Sequence, residues 1–121
     1  MQFAPKNCHK KLLGRAGENR AAKYLKNAGY EVLAKNFKTH VGEIDLIVRK
    51  DGVTVFVEVK TRSSDDFGAP SEAVGAKKRK KYALVAQEYL LKEKCGDVPC
   101  RFDIVEIEGE RINHIENAFS I

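Results

Sequence analysis

Asp45, Glu58 and Lys60 lie in the segment GEIDLIVRKDGVTVFVEVKTR, residues 42–62, as an Asp, twelve intervening residues and then Glu-x-Lys. Two carboxylates and an ammonium on adjacent apolar strands are a donor set for holding a divalent cation against a phosphate. Hard cations take oxygen ligands, and Mg²⁺ is usually held by one or two carboxylates together with substrate phosphate.

The strands that carry these groups are defined by Asp51-Gly52. In a two-residue type I′ turn both central residues need positive φ, and Asp-Gly is a strong signal for one. With that pair at the tip, Lys50 faces Val53, Ile47 faces Phe56, Asp45 faces Glu58 and Glu43 faces Lys60. Strand side chains alternate between faces. Ile44, Leu46, Val48, Val55, Val57 and Val59 therefore share an apolar face that belongs in a core. The other face carries Glu43, Asp45, Glu58 and Lys60 at one end and Ile47 and Phe56 further along. Directly opposed residues have Cβ atoms roughly 4.5–5.5 Å apart, where like charges destabilise. Asp45 opposite Glu58 calls for a cation between them, from Lys60 or from a bound metal. A solvated polar face on a sheet edge is the alternative, and the hairpin alone does not choose.

The chain has 121 residues, enough for one domain with one core. Its 22 Lys and Arg exceed its 17 Asp and Glu, a net charge of +5, which favours a polyanionic partner modestly. No run approaches the ~18 apolar residues of a membrane span. MQFAPKNCHKKLLG lacks the apolar centre of a signal peptide. The expectation is a cytoplasmic protein with no membrane partner. Three cysteines, Cys8, Cys95 and Cys100, form no common zinc spacing and read as free thiols.

Residues 1–12 read as a basic arm, and 13–121 as a single domain. Leu13 to Ala28 reads as a helix ended by Gly29. Gly14, Gly17, Glu18, Ala21, Leu25 and Ala28 fall near one face, small and apolar apart from Glu18. Glu18 sits either at the margin of that face or in a site, and the helical pattern by itself favours the margin. Tyr30–Phe37 is a strand, followed by hairpin strands at 43–49 and 53–61. Residues 63–71 form a loop, with a helical turn opening near Pro70 and Ser71-Glu72. A second helix runs from Lys77 to about Lys94, with Tyr82, Val85, Ala86, Tyr89 and Leu90 on its apolar side. Strands at 101–107 and 111–115 complete an α-β-β-β-α-β-β order. That order predicts an α/β fold, a single mixed sheet of about five strands flanked by helices.

Lys77, Lys78, Arg79, Lys80 and Lys81 open the second helix. The helix dipole already makes that end positive, so cations there cost stability. An anion, phosphate above all, would account for them. So would a solvated charge run in a basic protein. Lys78 and Tyr82 are four apart and share a face.

Taken together, Asp45 and Glu58-x-Lys60, on strands that follow a helix bearing Glu18, resemble the PD-(D/E)xK nuclease superfamily. Its restriction-endonuclease-like fold also occurs in archaeal Holliday junction resolvases and tRNA-splicing endonucleases. The order GRAGENRAAKYL, GEIDLI, VFVEVKTR, FGAPSEAV more closely resembles the bacterial YraN family, from about residue 13 to residue 107. One departure is Ile44, which stands where the superfamily often has proline before the motif Asp.

The resemblance implies a metal-dependent endonuclease-like protein that acts on nucleic acid phosphodiesters, with DNA the expected substrate. Asp45 and Glu58 match the metal-binding acids. Lys60 matches the lysine that orients or activates water, and Glu18 matches the first-helix acid that completes the metal shell. The Val59 carbonyl is a further ligand for Mg²⁺ or Mn²⁺. Lys77, Lys78, Arg79, Lys80, Lys81, Arg62 and Tyr82 are the expected nucleic-acid contacts, with Lys78 and Tyr82 matching the helix after the core in nucleases of the RecB type. Many members of the superfamily cut as homodimers. Two alternatives stand beside this reading: a nucleic-acid-binding module on a nuclease fold with little turnover, and a protein-interaction domain with an ordinary polar sheet face.

Overall fold

A computed structural model describes residues 6–62 and 75–120, with side chains described from Arg15 onward. The expected basic arm lies outside these residues for 1–5, and the expected loop and helical turn at 63–74 lie outside them altogether. The elements are α1 (Lys6–Asn27), β1 (Glu31–Lys38), β2 (Glu43–Lys50), β3 (Val53–Arg62), α2 (Ala76–Lys92), β4 (Cys100–Glu108) and β5 (Arg111–Phe119). This is the α/β order expected from the sequence, although α1 begins at Lys6 rather than at Leu13.

One five-stranded sheet runs in the order β1-β2-β3-β4-β5. Neighbours are antiparallel except β3 and β4, which are parallel. A parallel pair needs a crossover, usually a helix, and α2 lies between these two strands in the chain. Asp51 and Gly52 have φ of 52° and 78°, as the type I′ turn requires. The pairs Lys50–Val53 through Ile47–Phe56 follow the register counted from that turn.

Helices cover both faces of the sheet. On one face Ala21, Ala22 and Leu25 of α1 pack with Leu46, Val48, Val55, Val57, Val105 and Ile107. On the other Tyr82, Val85, Ala86 and Tyr89 of α2 pack with Ile47, Phe56 and Phe119. Burial on both faces explains why β3 reads VFV at Val55–Val57, a continuous rather than an alternating apolar run. The hairpin face holding Ile47 and Phe56 is thus a second core. Ile44 departs from strict alternation: it packs in the α2 cluster rather than with Leu46 and Val48. Ala28, expected on the buried face of the first helix, is exposed beyond its end. There the Tyr30 N–H donates to the Leu25 carbonyl at 2.9 Å, and Gly29 takes a φ of 96°.

Gly17 sets how closely α1 sits on the sheet. A Cβ at this position would run into the Thr61 Oγ1 of β3. The missing side chain lets the helix approach the end of β3 and brings Glu18, the next residue, to that end of the sheet.

Candidate functional site

The register counted from the turn persists as far as Leu46–Val57, the last recorded pair between β2 and β3. Beyond it the strands part. The Asp45 Oδ2 accepts a hydrogen bond of 2.8 Å from the Val59 N–H, so a side chain takes the place of the next ladder partner. Asp45 and Glu58 therefore flank a fork in the sheet rather than forming a ladder pair. A residue in an extended strand turns its N–H and C=O toward the same neighbour. The Val59 carbonyl faces the fork as well.

Around Asp45, α1 supplies Glu18 and β2 supplies Glu43. One carboxylate oxygen from each of Glu18, Glu43 and Asp45 lies within 4.8 Å of the others. Glu43 does not face Lys60, as the sequence suggests; it pairs across β1 with Lys38, Nζ to Oε2 3.4 Å. Glu43 is the acid of this cluster that the sequence reading does not include among the candidate ligands. The available signal was its place two residues before Asp45, at the same end of the strand.

Glu58 is 7% exposed. Its Oε1 receives the Lys78 ammonium from α2, and its Oε2 is buried without a hydrogen-bond partner among the described residues. Lys60, two residues along β3, shares its face and is half-buried.

The electrostatics follow from this crowding. Burial, and then the charges of Glu18, Glu58 and Glu43, push the Asp45 carboxyl up to about 7 against the opposing Val59 hydrogen bond. Burial, then the charges of Glu58 and Asp45, and a hydrogen-bonding contact with Glu58 raise the Tyr82 hydroxyl well above its ordinary value. The Tyr82 ring is core, 9% exposed and stacked on Phe119 with centroids 5.8 Å apart. Only its polar end addresses the acids.

A cleft of about 450 Å³ adjoins the acids, lined by Gly42, Glu43, Lys77, Lys78, Lys81 and Tyr82. Of the expected nucleic-acid contacts, four thus share one cleft. Lys80 is exposed and Arg79 half-buried, both away from it. Arg62 makes a 3.0 Å ion pair with Glu106 of β4.

The donor set is entirely oxygen, as hard divalent cations prefer. The orphaned Glu58 oxygen and the Glu18–Glu43–Asp45 cluster both fit such a cation. Asp45, Glu43, Glu18, Glu58 and the Val59 carbonyl are the atoms that could hold one.

A second polar cluster surrounds Asp103 of β4, whose neighbour in β3 is Val57. Asp103 is fully buried and accepts from His114 at 2.7 Å, from Arg101 at 2.9 and 3.0 Å, and from the Asn117 N–H at 2.9 Å. Arg101 also donates to the Tyr30 hydroxyl at 2.6 Å. Asn117, with φ of 51°, sits in the irregularity where β5 slips against β4.

An open, mixed five-stranded sheet with a helix on each face and a fork lined by acids defines an α/β protein with a candidate cation site at one sheet end. Residues 17–107 match the uncharacterised protein family UPF0102, and the chain belongs to it. A UPF0102 protein of Alkaliphilus oremlandii is 49% identical over 115 residues, covering 90% of this chain and 98% of its own. One from Caldanaerobacter subterraneus subsp. tengcongensis is 46% identical over 121 residues, covering 94% and 99%. A third, from Persephonella marina, is 43% identical over 110 residues, covering 91% and 95%. No helix among the described residues is long and apolar enough to cross a membrane.

Proposed function

We propose that this chain is a divalent-cation-dependent endonuclease acting on nucleic acid phosphodiesters, with DNA the expected substrate. The observation that carries the reading is the convergence of Glu18, Glu43 and Asp45, with oxygens within 4.8 Å of one another, beside a cleft lined by Lys77, Lys78 and Lys81. Acids that hold a cation stand next to ammonium groups that hold a phosphate.

When bound, Mg²⁺ or Mn²⁺ supplies Lewis acidity at a phosphoryl oxygen and makes water a better nucleophile. Asp45, Glu18, Glu43, Glu58 and the Val59 carbonyl would hold it. Lys60 orients the attacking water and stabilises negative charge as it develops on the phosphate. Lys77 and Lys81 grip backbone phosphates, so binding weakens steeply with salt. Tyr82 stacks on Phe119 and keeps the floor of the cleft rigid.

The Lys78–Glu58 ion pair favours a second reading, a nucleic-acid-binding module with little turnover, because one acid is already neutralised from within the chain. One assay separates the two. The protein and Asp45→Asn are incubated with supercoiled plasmid, single-stranded DNA, branched DNA and structured RNA in Mg²⁺, Mn²⁺ or EDTA. Cation-dependent cutting that is lost in the variant supports the endonuclease. Salt-sensitive binding without cutting on every substrate favours the module, and absence of any binding at low salt removes both.

A further inference from the structure

We propose that the Lys78 ammonium is the cation Glu58 keeps until a divalent cation replaces it, and that this exchange couples cation binding to polyanion binding. The inference rests on the proposed function above and adds to it how the site is regulated.

The two partners are unequal. Glu58 is 7% exposed, whereas the Lys78 side chain is 49% exposed. A buried carboxylate cannot be left without a compensating charge or hydrogen bonds except at large cost. Lys78 meets only part of that need: the Glu58 Oε2 makes no well-formed hydrogen bond among the described residues, and only the Tyr82 hydroxyl is drawn toward Glu58 beside it. Lys78 itself stands in the first turn of α2, where the dipole disfavours a cation. Its position is stabilised by Glu58 and not by its own helix.

Lys78 also has somewhere else to go. It lines the cleft with Lys77 and Lys81, and its ammonium lies 5.6 Å from the centroid of the Tyr82 ring. That ring faces the acids at one end and the cleft at the other. A lysine reaches either through its flexible four-carbon stem, with no movement of the backbone. A divalent cation on Glu58 repels the ammonium, which then adds one phosphate contact in the cleft. A polyanion drawing Lys78 outward uncovers Glu58 and strengthens cation binding by the same factor, since linkage is reciprocal.

Two titrations test the exchange. The first measures Mn²⁺ affinity without nucleic acid for the wild type, Lys78→Met and Lys81→Met. Lys81→Met removes the same charge from the same cleft without touching Glu58. Lys78→Met is expected to bind Mn²⁺ about 5-fold or more tightly than the wild type, and Lys81→Met to change little. The second measures binding of a fluorescein-labelled DNA duplex across a salt series in EDTA or in Ca²⁺. Ca²⁺ is expected to steepen the logarithmic salt slope of the wild type by about 0.9, one phosphate contact, and to leave that of Lys78→Met unchanged. Glu58→Gln frees Lys78 permanently and gives a measure that does not depend on Lys78→Met folding. Its slope in EDTA should equal that of the wild type in Ca²⁺.

Equal Mn²⁺ affinities for Lys78→Met and Lys81→Met, or a Glu58→Gln slope in EDTA equal to that of the wild type in EDTA, overturn the exchange. If the wild type still binds Mn²⁺ and cuts in that case, the proposed function stands without it. If the wild type binds no Mn²⁺, both fall together.

Discussion

Asp45 takes the backbone N–H of Val59 at 2.8 Å where β2 and β3 stop pairing. One of its oxygens is thereby fixed by the fold, and the carboxyl is held among Glu18, Glu43 and Glu58. Its carboxyl is pushed from an ordinary 3.8 up to about 7, by burial first and then by those three acids. Folding therefore favours its protonated form. In the cation-free protein the contribution of Asp45 to stability is present below pH 3.8 and is lost as pH rises toward 7. A divalent cation must displace that proton. Mn²⁺ affinity is expected to fall about tenfold for each pH unit below 7, because one proton is released on binding. Titrations between about pH 5.5 and pH 8 read this directly. A pH-independent affinity over that range would contradict it.

Glu43 should behave as a ligand and not as a surface acid. Its partner Lys38 is 74% exposed, and an exposed pair contributes little to stability. Glu43→Gln is expected to leave the melting temperature nearly unchanged while weakening Mn²⁺ binding by about tenfold or more. A variant that binds Mn²⁺ as the wild type does removes Glu43 from the site.

The contact between Gly17 and Thr61 can be probed as a pair. Alanine is the better helix former, yet Gly17→Ala places its methyl against the Thr61 Oγ1. The expected net effect is a loss of about 1–3 kcal/mol, the usual cost of overpacking, with weaker Mn²⁺ binding as Glu18 is displaced. Thr61→Ala in the same chain should restore both. Restoration of stability without restoration of Mn²⁺ binding would mean that Glu18 is not positioned through this contact.

Asp103 makes an acid-side prediction of opposite sign. Burial works to raise its carboxyl, but hydrogen bonds from His114, Arg101 and the Asn117 N–H together hold it below 3.8. The stability it contributes is present above that pH and is lost as pH falls through the lower folded-state value. Asp103→Asn should cost about 3–5 kcal/mol at neutral pH, as when one partner of a buried pair is removed. Urea denaturation should show the gap to the wild type narrowing in acid. A constant gap would place the effect in packing and not in charge.

The hairpin and its register were legible because a single dipeptide, Asp51-Gly52, determines both. The apolar side of α2 was legible for a similar reason: Tyr82, Val85, Ala86 and Tyr89 keep helical spacing without interruption. Ile44 was misplaced because counting assumes that paired strands stay paired, and the fork beyond Leu46–Val57 breaks that assumption. The same count sets Glu43 against Lys60, whereas the recorded neighbour of Glu43 is Lys38 of β1. Asp103 looks like an interruption in an apolar strand. Its partner Arg101 also holds Tyr30, which is distant in sequence, and His114 and Asn117 meet Asp103 only through a slipped register that no local pattern encodes.

The crossover has a consequence for the order in which the chain is made. All four acids of the fork lie between Glu18 and Glu58. The ammonium that answers Glu58 comes from α2, and the strand that flanks β3 on its other side comes later still. A growing polypeptide thus carries all four acids before it carries the Lys78 ammonium and the strand that encloses β3 on its other side. The site can be complete only when the second half of the molecule has been synthesised.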